Sequence, residues 1–268
     1  MHWTDIPLAG SDGRIMGVDL FIPEQDTPSP VILYIHGFNG LKDWGGMNLV
    51  ANMFMQAGFA FVKMNLSHNG TDLFHPMKFV DLDAFGKNNY SKELYDVGVV
   101  LNWICSADHP QAKRIDITRI ALIGHSRGGG IAILKAYEDP RVYALLTWAS
   151  VSHCQTPWGT MNAKALAAWK QEGVMYYTNK RTGQQLPLYY QLKEDYDQHT
   201  DRFNLQNAAA GLTIPWMIAH GRQDPAVPFS QAQELHAWQP KSKLFEVDSD
   251  HVFGRVHPWT QETLPAPM

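Results

Sequence analysis

The sequence predicts an α/β fold built around a mostly parallel sheet, and three observations carry that expectation. Val31–Ile35 and Ile120–Ile123 are continuous apolar runs, the pattern of strands covered on both faces, and Phe59–Met64 and Val142–Trp148 read as further strands. They alternate with stretches of helical spacing across short joints, as right-handed parallel crossovers require. Ile120 to Leu134 passes from strand to helix through Gly124-His125-Ser126-Arg127-Gly128 with no loop between them. At 268 residues the chain is long enough to bury a large core.

The elements follow in order. Asp12-Gly13 reads as a hairpin turn between Ile6–Leu8 and the alternating Ile15, Val18, Leu20, Ile22 stretch. Pro23, Pro28 and Pro30 mark a loop before the Val31 strand, which ends in the turn His36-Gly37-Phe38. Leu49, Val50, Met53 and Phe54 predict a helix over Trp44–Ala57, closed by Gly58. Residues 65–89 form a long irregular connection, and Leu94, Val97, Leu101 and Ile104 form the next helical stripe. After the Ile120 strand, its helix to about Glu138 and the Val142 strand, the rhythm stops.

From 151 to 211 there is no clear alternation. Trp158, Trp169, Tyr176, Tyr177, Tyr189, Tyr190, Tyr196 and Phe203 cluster there, with a short helix expected over Met161–Gln171 and a hairpin at Thr182-Gly183. Alternation returns with a strand at Ile214–Ala219, a helix from Pro228 or Ser230 to Trp238 and a strand at Lys243–Val247. A short tail helix near Val256 is expected to end at Pro265 and Pro267.

Composition narrows the class. A net charge of -4 supplies no basic field for nucleic acid, and no apolar run is long enough to span a bilayer. The N-terminus lacks a charged-then-apolar leader, which makes a cytoplasmic location the default expectation. Cys105 and Cys154 have no metal-ligand spacing and read as free thiols. His68, Asp72 and His75 match no metal-ligand spacing either, so neither a metal nor a nucleic-acid or membrane partner is expected.

The chemistry is carried by G-x-S-x-G in its strand–turn–helix context. The turn pushes the Ser126 hydroxyl above the sheet edge, and the helix that follows aims its N-terminal N–H groups at the same place. A serine hydroxyl needs a base to take its proton and an anion to orient that base. Partners should follow later strands, because ligands bind at the carboxyl ends of parallel strands. Asp224 follows the Ile214–Ala219 strand and His251 follows the Lys243–Val247 strand, giving the order Ser, Asp, His. Asp248, Asp250 and Asp201 are the competing carboxylates, and His257 is the alternative histidine. His125 reads as a packing residue. Acyl transfer also needs oxyanion donors. The Arg127 N–H is one, and the Phe38 N–H, in a turn where Gly37 permits an unusual backbone angle, is the second. Gly124, Gly128, His36 and Gly37 are the supporting turn residues.

These motifs together resemble the α/β-hydrolase family, over nearly the whole chain apart from 151–211. The short His36-Gly37-Phe38 loop is similar to that of the dienelactone-hydrolase-like and serine-aminopeptidase-like branch. The resemblance implies an eight-stranded core sheet over 1–150 and 212–268 and a cap or lid insertion at 151–211, after the sixth strand. It also implies serine-dependent ester hydrolysis through an acyl-enzyme, with no cofactor. The expected substrate is a small, partly apolar or aromatic ester. A peptidase or amidase using Glu194, Asp195 or Asp197 to bind an amino end stays open, as does a non-catalytic small-molecule binder. The sequence does not define an oligomeric state.

Overall fold

The structure, a computed structural model, describes residues 1–266. An eight-stranded sheet runs in the order β1-β2-β4-β3-β5-β6-β9-β10. Its strands are β1 (His2–Ala9), β2 (Ile15–Phe21), β3 (Ser29–Ile35), β4 (Ala60–Met64), β5 (Ile115–His125), β6 (Val142–Trp148), β9 (Trp216–Gly221) and β10 (Lys243–Val247). β1 and β4 both pair antiparallel to β2, and the other pairs are parallel, so β2 alone runs against the rest. The expected mostly parallel sheet is what the apolar runs form.

Alternation along each strand divides the core between the two faces. In β3, Val31, Leu33 and Ile35 join the larger apolar layer with α3 (Tyr90–Ile104), α4 (Arg127–Glu138) and α8 (Ser230–Trp238). Ile32 and Tyr34 face the other way, onto Met47, Val50 and Ala51 of α1 (Met47–Gln56). A sheet covered on both faces has no use for polar alternation, which is why its strands read as continuous apolar runs.

Several elements differ from the sequence reading: β5 begins at Ile115, ahead of the Ile120 run, and β9 spans Trp216–Gly221 rather than 214–219. α1 begins at Met47 rather than Trp44, because Gly45 and Gly46 adopt left-handed angles (φ 61° and 80°) that no right-handed helix contains. The irregular 65–89 stretch carries one short helix, α2 (Leu82–Gly86), capped by the Asp81 carboxylate on the Ala84 N–H. The tail helix near Val256 does not form among the described residues: Phe253 and Gly254 sit at φ 56° and 74°, which breaks any helical run there. Pro265 lies beyond that break, and Pro267 lies outside the described residues.

Between β6 and β9 the chain forms α5 (Ala163–Glu172), the hairpin β7 (Val174–Thr178) and β8 (Gln185–Tyr189), α6 (Gln191–Gln198) and α7 (Leu205–Gly211). The short helix and the Thr182-Gly183 hairpin turn are thus present, with α7 packed on α4 and α8 in the helical layer of the sheet. Most of the aromatics here pack on one another. Trp158 meets Trp169 and Tyr196, Trp169 meets Tyr190, and Tyr196 stacks on Phe203.

Candidate active site

Sheet register gathers the predicted residues. Ile35 at the end of β3 pairs with Gly124 near the end of β5, and His125 pairs with Trp148 at the end of β6. Trp148 pairs with Ala219 of β9, and Gly221 at the end of β9 pairs with Val247 at the end of β10. The loops carrying His36–Phe38, Ser126, Asp224 and His251 therefore leave one edge of the sheet side by side.

Ser126 sits between β5 and α4 at φ 57°, ψ −123°, a conformation costly for a residue with a side chain. Its surroundings over-determine it. The Ser126 N–H donates to Trp148 O (2.9 Å), and its carbonyl accepts from Gly129 N (2.9 Å) and Val151 N (3.3 Å). The flanking glycines are required by space. A Cβ at Gly124 would lie 2.3 Å from Gly128 O, and one at Gly128 2.3 Å from His36 O. Gly37 needs a different explanation from the one its sequence context suggests, since it does not adopt a left-handed angle. A Cβ there would come within 2.9 Å of Ser126 Cβ and 3.0 Å of His125 O. Alanine at Gly37 is accordingly expected to push the turn off the serine and lower kcat/KM by about 100-fold, the cost of a displacement near 1 Å, with folding retained by circular dichroism.

Asp224 and His251 are brought together. His251 Nδ1 lies 2.7 Å from Asp224 Oδ2, and Asp224 Oδ1 accepts from Ala226 N and Val227 N, both at 2.8 Å. The carboxylate is fully covered, with 0% side-chain exposure. Burial opposes its ionisation. Hydrogen bonds from His220 and His251, with the Val227 N–H, outweigh that and hold the carboxyl well below the usual carboxylate range. Asp248 bonds instead to Gln223, and Asp250 to its own turn at Val252 and Gly254. His257 stacks on Trp44 and accepts from Gly45 N.

Ser126 and His251 line one pocket of about 160 Å³, with Tyr34, Phe38, Trp44 and Arg181 among its walls. No hydrogen bond joins Ser126 Oγ to His251 among the described residues; such contacts often close only when substrate is bound. The Phe38 N–H donates to no protein acceptor among the described residues. The Arg127 N–H opens α4, where helix geometry leaves it without a carbonyl partner. Two free N–H donors, a strained serine and an imidazole backed by a carboxylate can together move a proton and hold an oxyanion.

Four residues near the site were not singled out by sequence reasoning. His220, fully buried, points Nε2 at Val227 O (2.9 Å) and Asp224 Oδ2 (3.2 Å), bracing the carboxylate. Glu93 of α3 pairs with the buried Arg127 guanidinium at 3.1 Å, while Arg127 Nη1 donates to Thr156 O. Arg181 and Arg255 approach Trp44 from two directions. His125, read as packing, does more: its Nε2 lies 2.9 Å from His251 O and the two rings are 4.8 Å apart. No spacing signal marks Glu93, Arg181 or Arg255, because each acts on a partner distant in sequence, whereas His220 braces a carboxylate only four residues further along the chain. Among the described residues, His68 turns to Ser67 Oγ while His75 pairs with Asp72, and no group of His, Cys, Asp and Glu could hold a metal. No helix there is long and apolar enough to cross a membrane.

His36 fixes the turn from beneath. Its Nε2 accepts the Leu66 N–H (3.3 Å), which leaves Nδ1 to donate to Gly37 O (2.9 Å). Burial, against that bond to Gly37, pushes its pKa down to about 4. Unfolded histidine titrates near 6.5. The neutral ring's contribution is therefore complete above about 6.5 and is lost as pH falls towards 4, on the order of 2 kcal/mol by pH 5. His68, also held to about 4 by burial, adds in the same window. Urea midpoints at pH 7 and 5 should show this fall, with a shallower slope in His36→Gln.

The fold and the placement of these loops define an α/β hydrolase. Within that class the chain belongs to the BD-FAE family, whose model matches residues 18–239. No curated protein matches it in sequence. Among solved structures it is similar to a putative hydrolase from Agrobacterium vitis S4 (19% identity, TM-score 0.70, covering 95% of this chain and 93% of that one). It is also similar to Est1E from Butyrivibrio proteoclasticus (17% identity, TM-score 0.68, 94% and 92% covered), including a structure of Est1E with ferulic acid bound (18% identity, TM-score 0.67, 92% and 90% covered).

Proposed function

We propose that this chain is a serine hydrolase that cleaves a carboxylic ester of a small, partly apolar or aromatic substrate through an acyl-enzyme. The observation that carries the reading is the covered Asp224–His251 hydrogen bond in register with a strained Ser126 on the same pocket. In this reading His251 takes the Ser126 proton as Oγ attacks the ester carbonyl. The Phe38 and Arg127 N–H groups hold the tetrahedral oxyanion. Asp224 stabilises the imidazolium, which then protonates the departing alcohol, and water clears the acyl-enzyme by the reverse proton path. Membership of BD-FAE and likeness to a protein solved with ferulic acid are consistent with an aromatic ester. So are Tyr34, Phe38 and Trp44 in the pocket wall.

We assign segment 151–211 the role of a cap. Its support is the β7–β8 hairpin, where Tyr177 packs edge-on to Phe38 at 5.2 Å and Asn179 Nδ2 donates to Asn39 Oδ1. The peptidase reading gains no support: Asp195 accepts from Ser91 N and Oγ, Asp197 pairs with Lys193, and Glu194 is exposed and outside the lining of the pocket over Ser126.

The test is intact-mass analysis after treatment with a fluorophosphonate probe, beside a 4-nitrophenyl ester panel. One adduct on wild type, none on Ser126→Ala, and ester turnover are the expected results. Absence of both adduct and turnover in folded protein would overturn the hydrolase reading in favour of a binding module. Turnover of aminoacyl anilides above esters would turn it to a peptidase.

A further inference from the structure

The pocket over Ser126 carries an uncompensated positive charge. Among the described residues lining it there is no Asp or Glu, and Asp224 is fully covered behind His251. Arg181 is in the lining, its guanidinium 5.8 Å from the centre of the Trp44 ring, and it forms no ion pair among the described residues. Arg127, the guanidinium that follows Ser126, is by contrast matched by Glu93.

The turn that presents Arg181 is built. Asn179, 1% exposed, accepts the Arg181 N–H on Oδ1 (3.0 Å) and ties the hairpin to the Phe38 turn through Asn39 (3.3 Å). Behind Trp44 lies a second guanidinium. Arg255 is 2% exposed, stands 5.4 Å from the same ring and donates Nε to Val252 O, yet its Nη2 has no partner. Asp250 acts on it only beyond ion-pair distance. A buried cation without a counter-charge is costly, and the cost falls when an anion enters nearby. The chain as a whole is negative, so this positive field is local to the pocket.

We propose that the ester this site takes carries a free carboxylate, bound by the Arg181 guanidinium beside Trp44 at the pocket mouth. The planar fork matches a carboxylate in two parallel hydrogen bonds, and the aromatic wall takes the apolar body between carboxylate and ester. Arg181 is a specificity determinant here, and the inference rests on the hydrolase reading above.

The experiment compares matched esters. On the acyl side, 4-nitrophenyl hydrogen adipate is set against 4-nitrophenyl hexanoate; on the alcohol side, 3-acetoxybenzoate against phenyl acetate. The expected result is at least a 10-fold preference in kcat/KM for one or both anionic members, shrinking as salt is added. Arg181→Gln should lower that ratio by about 10- to 100-fold, and Arg181→Lys should keep part of it. Turnover of the neutral esters with no anionic preference, or a ratio unchanged in Arg181→Gln, overturns the inference alone. No turnover of any ester together with no fluorophosphonate adduct overturns the hydrolase reading and the inference with it.

Discussion

Alanine at Ser126 is expected to lower kcat on a short-chain aryl ester by about 10⁴- to 10⁶-fold, the range seen when the nucleophile of a cooperating triad is removed. In the proposed mechanism the residue supplies the attacking atom that His251 and Asp224 activate. Residual rate above water should persist, because in that mechanism the Phe38 and Arg127 N–H groups would still hold an oxyanion for a water nucleophile. The loss should not be one of folding. Ser126 N and O are bonded through the backbone to Trp148, Gly129 and Val151, and these bonds survive the substitution. Backbone strain gives a second readout. At φ 57°, ψ −123° alanine is strained as serine is, whereas glycine is not. Ser126→Gly should therefore be more stable than Ser126→Ala by about 1 kcal/mol, raising Tm by a few degrees while remaining equally inactive. Equal activity in Ser126→Ala and wild type would exclude the serine as nucleophile.

Much of this site was legible in the sequence because its logic is local. Gly124 and Gly128 bracket Ser126 at a spacing that only a sharp turn between packed elements demands, and the apolar runs on either side announce strand and helix. Asp224 and His251 were legible for a related reason: each follows a strand directly, and parallel strands deliver their C-terminal loops to one edge. What stayed hidden depends on which loop folds over which. Arg181 and Arg255 lie 74 residues apart in number and meet only at Trp44, itself more than 100 residues earlier. Neither belongs to a periodic pattern. His125 does pack, against the His251 ring, but its bond to the loop after β10, where Nε2 lies 2.9 Å from His251 O, could not be read from the elbow. The tail failed for a backbone reason. Helical spacing near Val256 cannot register the left-handed angles at Phe253 and Gly254, which let Phe253 bury against the second face of the sheet.

Asparagine at Asp224 is expected to lower kcat by about 10⁴-fold while leaving the chain folded, and the hydrogen bonds dictate why. Oδ1 accepts two backbone N–H groups, from Ala226 and Val227. The amide must keep its oxygen there, since an NH2 would face two donors. That orientation turns the NH2 towards His251 Nδ1, where the carboxylate now accepts at 2.7 Å. His251 would then have to accept on Nδ1 and carry its proton on Nε2, the nitrogen that takes the Ser126 proton in the proposed mechanism. The wrong tautomer is enforced by two backbone amides remote from the serine. His220 sharpens the point, because its Nε2, 3.2 Å from Oδ2, would meet a donor instead of an anion. Loss of the low-field Nδ1–H proton resonance of His251, together with the fall in kcat, would report this directly. Stability should change in step. The folded carboxyl is held below the unfolded value near 3.9, so its contribution is complete above that value and is lost as pH falls through the folded one. Asp224→Asn should be less stable than wild type at neutral pH, and the gap should narrow in acid. A variant with wild-type kcat and an unchanged His251 resonance would mean that the carboxylate braces the loop without orienting the base.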